Sequence, residues 1–250
     1  MQFKSEFLQK LFSAKKIVFF TGAGISAESG ISTFRGKDGI WNKMKPEELA
    51  NFDAFMRNPD LVWEWYQHRR DIVHKAQPNA GHIAIAELEK YFDVTVVTQN
   101  IDNLHRRAGS KKIFELHGNI ERNYCVECHT FYNSFDMKAT GSAPKCKNCR
   151  GLVRPDVVWF GETLPEDQFG GGEKAAEWSD ICFVVGTSAV VYPAAYIPIT
   201  AKRAGSYIVE VNIEPTDLTQ FADYSIFGKA GDILPKILNE VKSSKIQSPG

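Results

Sequence analysis

The chain has 250 residues, 43% of them hydrophobic and 24% charged, with thirty Lys plus Arg against thirty Asp plus Glu. At about 150 residues per domain this is one large domain or a domain with a smaller companion, and the composition excludes a disordered chain, a collagen-like chain and a heptad-only fibre. A formal charge of zero excludes a global field for nucleic acid or an anionic membrane, so any such partner would have to be read by a local patch.

The first predicted element is an N-terminal helix, because Phe3, Phe7, Leu8, Leu11 and Phe12 recur at helical spacing. Glu6 interrupts that apolar face and Lys15 and Lys16 follow it, which does not suit a secretory signal with its unbroken apolar run and small-residue cleavage site. Four short β-branched or aromatic runs, at 17–20, 94–97, 181–185 and 207–211, read as buried parallel strands. Helices are predicted at 60–75 behind Asn58-Pro59, at 79–90 with Asn79 as cap, and at 232–241. The stretch 181–201 is uncharged and of membrane length, but Gly186, Pro193 and Pro198 divide it into a strand, a turn and a new element. No N-x-S/T sequon occurs, and the expectation is an intracellular, cytoplasmic protein.

Two segments interrupt the strand and helix alternation. Residues 30–77 are rich in Trp and Phe and contain no convincing strand. Residues 121–155 consist of short polar stretches and read as a second insertion, so the α/β domain is expected to be discontinuous. Cys125, Cys128, Cys146 and Cys149 lie in that second segment as C-x2-C, seventeen residues, C-x2-C. That spacing predicts one zinc ion, with two disulfides as the alternative in a secreted protein. Lys145, Lys147 and Arg150 beside the second pair help to keep the sulfurs anionic. Four sulfur ligands leave no position for water or substrate, which makes the metal structural. Cys182 reads as a buried strand residue, and no account offers itself for the run Gly170 to Gly172 beyond a loop or a weakened helix start.

The chemistry gathers where predicted strands end. After the first comes Thr21-Gly22-Ala23-Gly24-Ile25-Ser26-Ala27, a G-x-G-x-x-A loop opening a short helix, where a dinucleotide pyrophosphate can meet bare backbone N–H groups. A glycine turn made only for packing is the alternative. The acidic strand end expected about twenty residues on is missing, which argues against a plain hydride-transferring dehydrogenase. The strand at 94–97 delivers Gln99, Asn100, Ile101 and Asp102 to the carboxyl edge of the sheet, where open α/β sheets bind ligands. His117, before Gly118, can sit at a strand mouth beside that cluster as a neutral imidazole able to accept a proton, whereas His105 reads as structural or solvent-facing.

Together these pieces resemble the sirtuin family of NAD-dependent protein-lysine deacylases. The resemblance rests on GAGISAESGISTFRG (22–36), TQNIDNLH (98–105), LHG (116–118), the four cysteines, VVWFGE (157–162), GTSAVVYPAA (186–195) and VEVNIE (209–214). Ser32 stands where the family commonly has proline, and Asn103 where glycine or a small set of other residues is usual. The resemblance implies an α/β fold: a Rossmann-like parallel-sheet domain (1–35, 78–120 and 156–250) with a smaller domain formed by a helical insertion (36–77) and a four-cysteine zinc-ribbon insertion (121–155). NAD and acyl-lysine would enter the cleft between them from opposite ends. Gly22, Ala23 and Gly24 would hold the pyrophosphate, and Ser26 would also bind the cofactor. Gly186, Thr187, Ser188, Asn212, Ile213, Glu214 and Ala230 would hold the adenosine half, while Gln99, Asn100, Ile101 and Asp102 would surround the nicotinamide and its ribose. Phe34 would shield the reactive face, with Arg35 and Trp41 on the mobile cofactor loop.

By the same resemblance nicotinamide leaves, the acyl oxygen takes its place on the ribose, and His117 acts as base with Asn100 and Asp102 beside it. The products are free lysine and O-acyl-ADP-ribose, so NAD is a consumed co-substrate. Val158, Phe160 and Tyr192 would flank the acyl-lysine, and the backbone at Gly161 and Glu162 would pair with the substrate peptide as an added strand. Tyr66 and Arg69 lie three apart on a predicted helix and match the Y-x-x-R signature of sirtuins that remove succinyl-like and malonyl-like groups, with Ala50 at that class's small position. A guanidinium can grip a carboxylate with two bonds while the phenol adds a third. Without the resemblance Arg69 would read as a solvated helix residue like Arg70. The expected partners are acylated protein or peptide lysines, with no membrane and no specific nucleic acid. A protein ADP-ribosyltransferase is the alternative activity, and a zinc-ribbon nucleic-acid module would need a basic face from Arg122, Lys138, Lys145, Lys147, Arg150 and Arg154.

Overall fold

The computed structural model describes residues 2–33, 45–133, 137 and 142–246. Phe34, Arg35, Trp41 and Lys138 lie outside the described residues. The predicted opening helix is α1 (Ser5–Ser13), which buries Phe7 and Leu11. It leads into β1 (Lys16–Thr21) and a four-residue helix α2 (Gly24–Ala27). Next come α3 (Pro46–Leu49), α4 (Phe52–Arg57) and α5 (Pro59–Lys75), followed by α6 (Ala80–Leu88), β2 (Asp93–Thr98), α7 (Leu104–Ala108) and β3 (Ile113–Glu115). β4 (Gly118–Cys125), β5 (Phe131–Asn133) and β6 (Val153–Val157) precede α8 (Glu166–Glu177), β7 (Ile181–Val185) and α9 (Tyr196–Arg203). The chain continues through β8 (Tyr207–Asn212), β9 (Tyr224–Phe227) and α10 (Ala230–Ile246).

Six parallel strands form the main sheet in the order β3-β2-β1-β7-β8-β9. Its central strands read as continuous apolar runs because both faces are covered. Ile17, Phe19 and Phe183 point into one core with Phe7 of α1, Ile85 of α6 and Ile237 of α10. Val18, Phe20 and Val184 point into the other, against Ala176 of α8 and Ile197 of α9. The capping residues act as their types suggest: the Asn58 side chain accepts from Leu61 N–H at 3.3 Å ahead of Pro59, and the Asn79 side chain accepts from Gly81 N–H at 2.9 Å.

The uncharged stretch 181–201 resolves into β7, a turn and the start of α9, and no helix among the described residues is long and apolar enough to cross a membrane. The glycine run acquires a packing reason. It lies inside α8, where a Cβ on Gly171 would fall 2.2 Å from the Phe114 ring and one on Gly172 would fall 2.9 Å from Val97. Two glycines therefore let α8 settle onto β2 and β3, while Gly170 faces open space.

A second, antiparallel sheet has the order β5-β4-β6, with Cys125 the last residue of β4 and with β4 and β6 in contact with α5. Part of residues 121–155, read from the sequence as short polar stretches, forms the short strands of this sheet. Its polar residues satisfy partners inside the fold. Arg70 of α5, expected to be solvated, is 1% exposed; it donates to the Ile120 carbonyl at 2.8 Å, binds the Asn123 side chain and lies over the Trp63 ring. Arg154 is similarly hidden, and Arg122 pairs with Glu115 and Asp156 at 2.8 and 2.7 Å. Two of the basic residues considered for a nucleic-acid face are spent in this way.

Candidate active site and metal centre

β1 and β7 are neighbours in space, yet the chain leaves β1 toward β2 and β3 on one side and returns to β7 on the other. Such a reversal opens a crevice beyond the strands' carboxyl ends. Gly22 donates its N–H to Val185 O at 3.0 Å and Gly24 donates to Gly186 O at 2.8 Å. A Cβ on Gly24 would lie 2.7 Å from the Gly186 backbone. The glycines thus serve first as a seam between two strand ends, and of the three loop amides Ala23 N–H is the one without a backbone acceptor among the described residues. Across the crevice the Asn212 side chain donates to Thr187 O at 3.1 Å, and the Gln99 amide donates to the Thr187 hydroxyl at 2.9 Å. Ser188 continues this turn; Ile213 and Glu214 are exposed beyond Asn212, and Ala230 is buried at the start of α10.

Behind the loop lies a buried polar cluster. The Ser26 hydroxyl donates to Asp102 Oδ2 at 2.7 Å, Leu104 N–H donates to Oδ1 at 3.0 Å, and the Asn100 amide donates to Gly22 O at 3.0 Å. Burial pushes the Asp102 carboxyl up from its usual range, against those hydrogen bonds and the Arg69 guanidinium. His105 is 3% exposed, so of its two expected places the structural one holds; its Nε2 meets the Thr21 hydroxyl at 3.0 Å and its ring lies 4.9 Å from His82. Burial lowers both imidazoles, His82 to about 4, so they are neutral supports at ordinary pH. His82 escaped the sequence reading, since its only local sign was its place in the first turn after the Asn79 cap. Ile101 is buried beside this cluster and its carbonyl accepts from Ile120 N–H at 2.9 Å.

His117 stands at the mouth of β3 with Nδ1 3.0 Å from Gln99 O. A carbonyl can only accept, so Nδ1 carries the hydrogen and the neutral ring presents its lone pair at Nε2. Burial lowers the His117 pKa, opposed by the Gln99 bond, and this favours the neutral base. Asn100, Asp102, Gln99 and His117 are therefore brought together at one sheet edge.

The face beyond His117 is built from the segment after β6 and from α5. Val158 N–H donates to His117 O at 3.0 Å, and Phe160 N–H donates to Ala50 O at 2.9 Å. Phe160 and Tyr192 are exposed, Val158 is half-buried, and Gly161 has φ 88° with open space where a Cβ would stand. The Glu162 carboxylate accepts from Trp159 N–H at 2.8 Å and from Arg154 at 2.9 Å, so its side chain works within the fold. Tyr66 and Arg69 are 2% and 6% exposed, not solvated. The guanidinium's pKa is lowered by burial and supported electrostatically by Tyr66 and Asp102.

The four cysteine sulfurs lie within 4.8 Å of one another, with Cys125–Cys149, Cys128–Cys146 and Cys128–Cys149 at 3.4, 3.5 and 3.4 Å. A tetrahedron with Zn–S of about 2.3 Å has edges of about 3.8 Å. The sulfurs are unpaired as disulfides, and the set is compatible with one structural zinc.

The Sir2 family profile matches residues 22–193. An NAD-dependent protein deacylase 2 from Pyrobaculum aerophilum is 53% identical over 233 residues, 93% of each chain. An NAD-dependent protein deacylase from Pyrococcus furiosus is 50% identical over 240 residues, 93% of this chain and 95% of that one. A solved Sir2 homologue in complex with NAD superposes with a TM-score of 0.92 at 44% identity, covering 97% of this chain and 95% of that one. A Sir2 complex with p53 peptide and NAD+ gives 0.87 at 34%, covering 97% and 100%.

Proposed function

The chain belongs to the Sir2 family, and from that premise we propose that it is an NAD-dependent protein-lysine deacylase that prefers succinyl-like and malonyl-like chains while keeping deacetylase activity. NAD, as the consumed co-substrate, supplies the nicotinamide–ribose bond that is cleaved. His117 takes a proton at Nε2 from a ribose hydroxyl, with its tautomer held by the Gln99 carbonyl. Asn100 and Asp102, fixed by Gly22 O and Ser26, line the nicotinamide ribose together with Gln99 and Ile101. The Gly22, Ala23 and Gly24 loop faces the pyrophosphate, Ser26 supports it from behind through Asp102, and the Thr187 and Asn212 turn faces the adenosine half. Val158, Phe160 and Tyr192 flank the acyl-lysine, and exposed Gly161 offers backbone to the substrate peptide.

The observation that carries the acyl preference is the buried pair Tyr66 and Arg69 on one face of α5. A guanidinium taken out of water is costly to hold, and an anionic acyl tail offsets that cost where an acetyl methyl cannot. Replacing Arg69 by Met (Arg69→Met) is expected to lower kcat/KM on succinyl-lysine by roughly 30-fold to several-thousand-fold, with a small loss on acetyl-lysine in the same peptide at saturating NAD. Equal losses on both would mean that Arg69 supports the helix and does not read the acyl chain. Mass spectrometry of the products distinguishes deacylation from the rival ADP-ribosyl transfer, which would leave ADP-ribose on the protein.

A further inference from the structure

The indole N–H of Trp159 donates to the hydroxyl oxygen of Tyr66 at 2.7 Å, across 93 residues of sequence, and both side chains are 2% exposed. The direction of this bond is fixed by chemistry, because an indole nitrogen can only donate. The phenol oxygen therefore spends a lone pair on Trp159, and its own hydrogen must point elsewhere. Among the described residues no acceptor takes that hydrogen. Burial raises the Tyr66 phenol well above its ordinary value, so the hydrogen stays in place at any working pH.

We propose that Trp159 is a specificity-determining positioning residue, which turns the Tyr66 hydroxyl hydrogen toward the acyl tail and so makes it a donor for a carboxylate-bearing acyl group. This rests on the charged-acyl reading above. Trp159 is itself locked. The Arg154 guanidinium lies 3.5 Å from the centroid of its ring, and the cation held there strengthens the indole N–H as a donor. Arg154 also donates to Val157 O at 2.9 Å and grips Glu162, whose carboxylate accepts the Trp159 backbone N–H at 2.8 Å. Phe160 and Gly161 follow directly, so the segment that faces the substrate backbone also carries the residue that sets the acyl-end donor. One ion pair thus registers the two ends of the substrate site against each other.

The test replaces Trp159 by 3-benzothienylalanine, which keeps the bicyclic shape and removes the donor, beside Trp159→Phe, Tyr66→Phe, Arg69→Met and the combined replacement at 159 and 66. Each is assayed on succinyl-lysine and acetyl-lysine in one peptide at saturating NAD. The donorless residue is expected to lower kcat/KM on the succinyl peptide by roughly 2- to 10-fold, the range of one neutral hydrogen bond, with the acetyl value nearly unchanged. On a Tyr66→Phe background the same replacement should cost nothing more, because both changes remove one oriented donor. Equal losses on the two acyl groups, additive losses with Tyr66→Phe, or no loss at all would overturn the role of Trp159. If Arg69→Met retains selectivity the charged-acyl reading falls as well; if it loses selectivity while the Trp159 replacements do not, only the present inference falls.

Discussion

Gly24 donates its backbone N–H to Gly186 O at 2.8 Å, which welds the end of β1 to the end of β7. Gly186 also has φ 59°, and a Cβ there would lie 2.4 Å from Ile25 N. Both the left-handed backbone and the contact exclude a side chain. Gly186→Ala is therefore expected to separate the two strand ends, raising the KM for NAD more than about tenfold and lowering the melting temperature. A variant with wild-type values of both would show that this seam does not shape the cofactor crevice.

His117 must be neutral to accept a proton, and burial moves its pKa down. The sign follows: kcat/KM rises with pH through the lowered pKa, so the acid limb has its midpoint below the usual histidine value of about 6.5. His117→Ala should lower turnover by roughly 100-fold or more with an unchanged melting curve. A midpoint above the usual histidine value, or near-normal turnover in the variant, contradicts the assignment of the base.

The four sulfurs hold β4 and the second cysteine pair together, and a saturated zinc site contributes through folding. Stripping the protein with a strong chelator, or Cys146→Ser, should lower the melting temperature by about 10 °C and activity with it, equivalent to a few kcal/mol in a chain of this length. Metal-free protein that melts at the original temperature would rule the zinc out.

The glycine run gives a paired test on neighbouring positions. Gly170→Ala adds a methyl in open space inside α8 and should stabilise by about 0.5–1 kcal/mol, whereas Gly171→Ala drives a methyl into the Phe114 ring and should cost about 1–3 kcal/mol. Calorimetric shifts of the same sign would refute the close seating of α8 on the sheet.

The sequence by itself determined what is local. The strands at β1, β2, β7 and β8 were legible because burial on both faces leaves an unbroken apolar run, and the caps of α5 and α6 because asparagine competes for orphan N–H groups wherever it stands. The cysteine spacing and the glycine loop were legible because ligand count and bare backbone depend on residue type. Tertiary structure decided the rest. Arg70 and Arg154 have the composition of solvent-facing residues, and only the pairing of β4 with β6 and the packing of α5 supply the carbonyls, carboxylate and rings that bury them. His105 could be placed only once Thr21 and His82 stood beside it. The bond from Trp159 to Tyr66 joins residues 93 positions apart, and no periodicity or spacing encodes such a contact, because its partners become neighbours only after the intervening chain has folded.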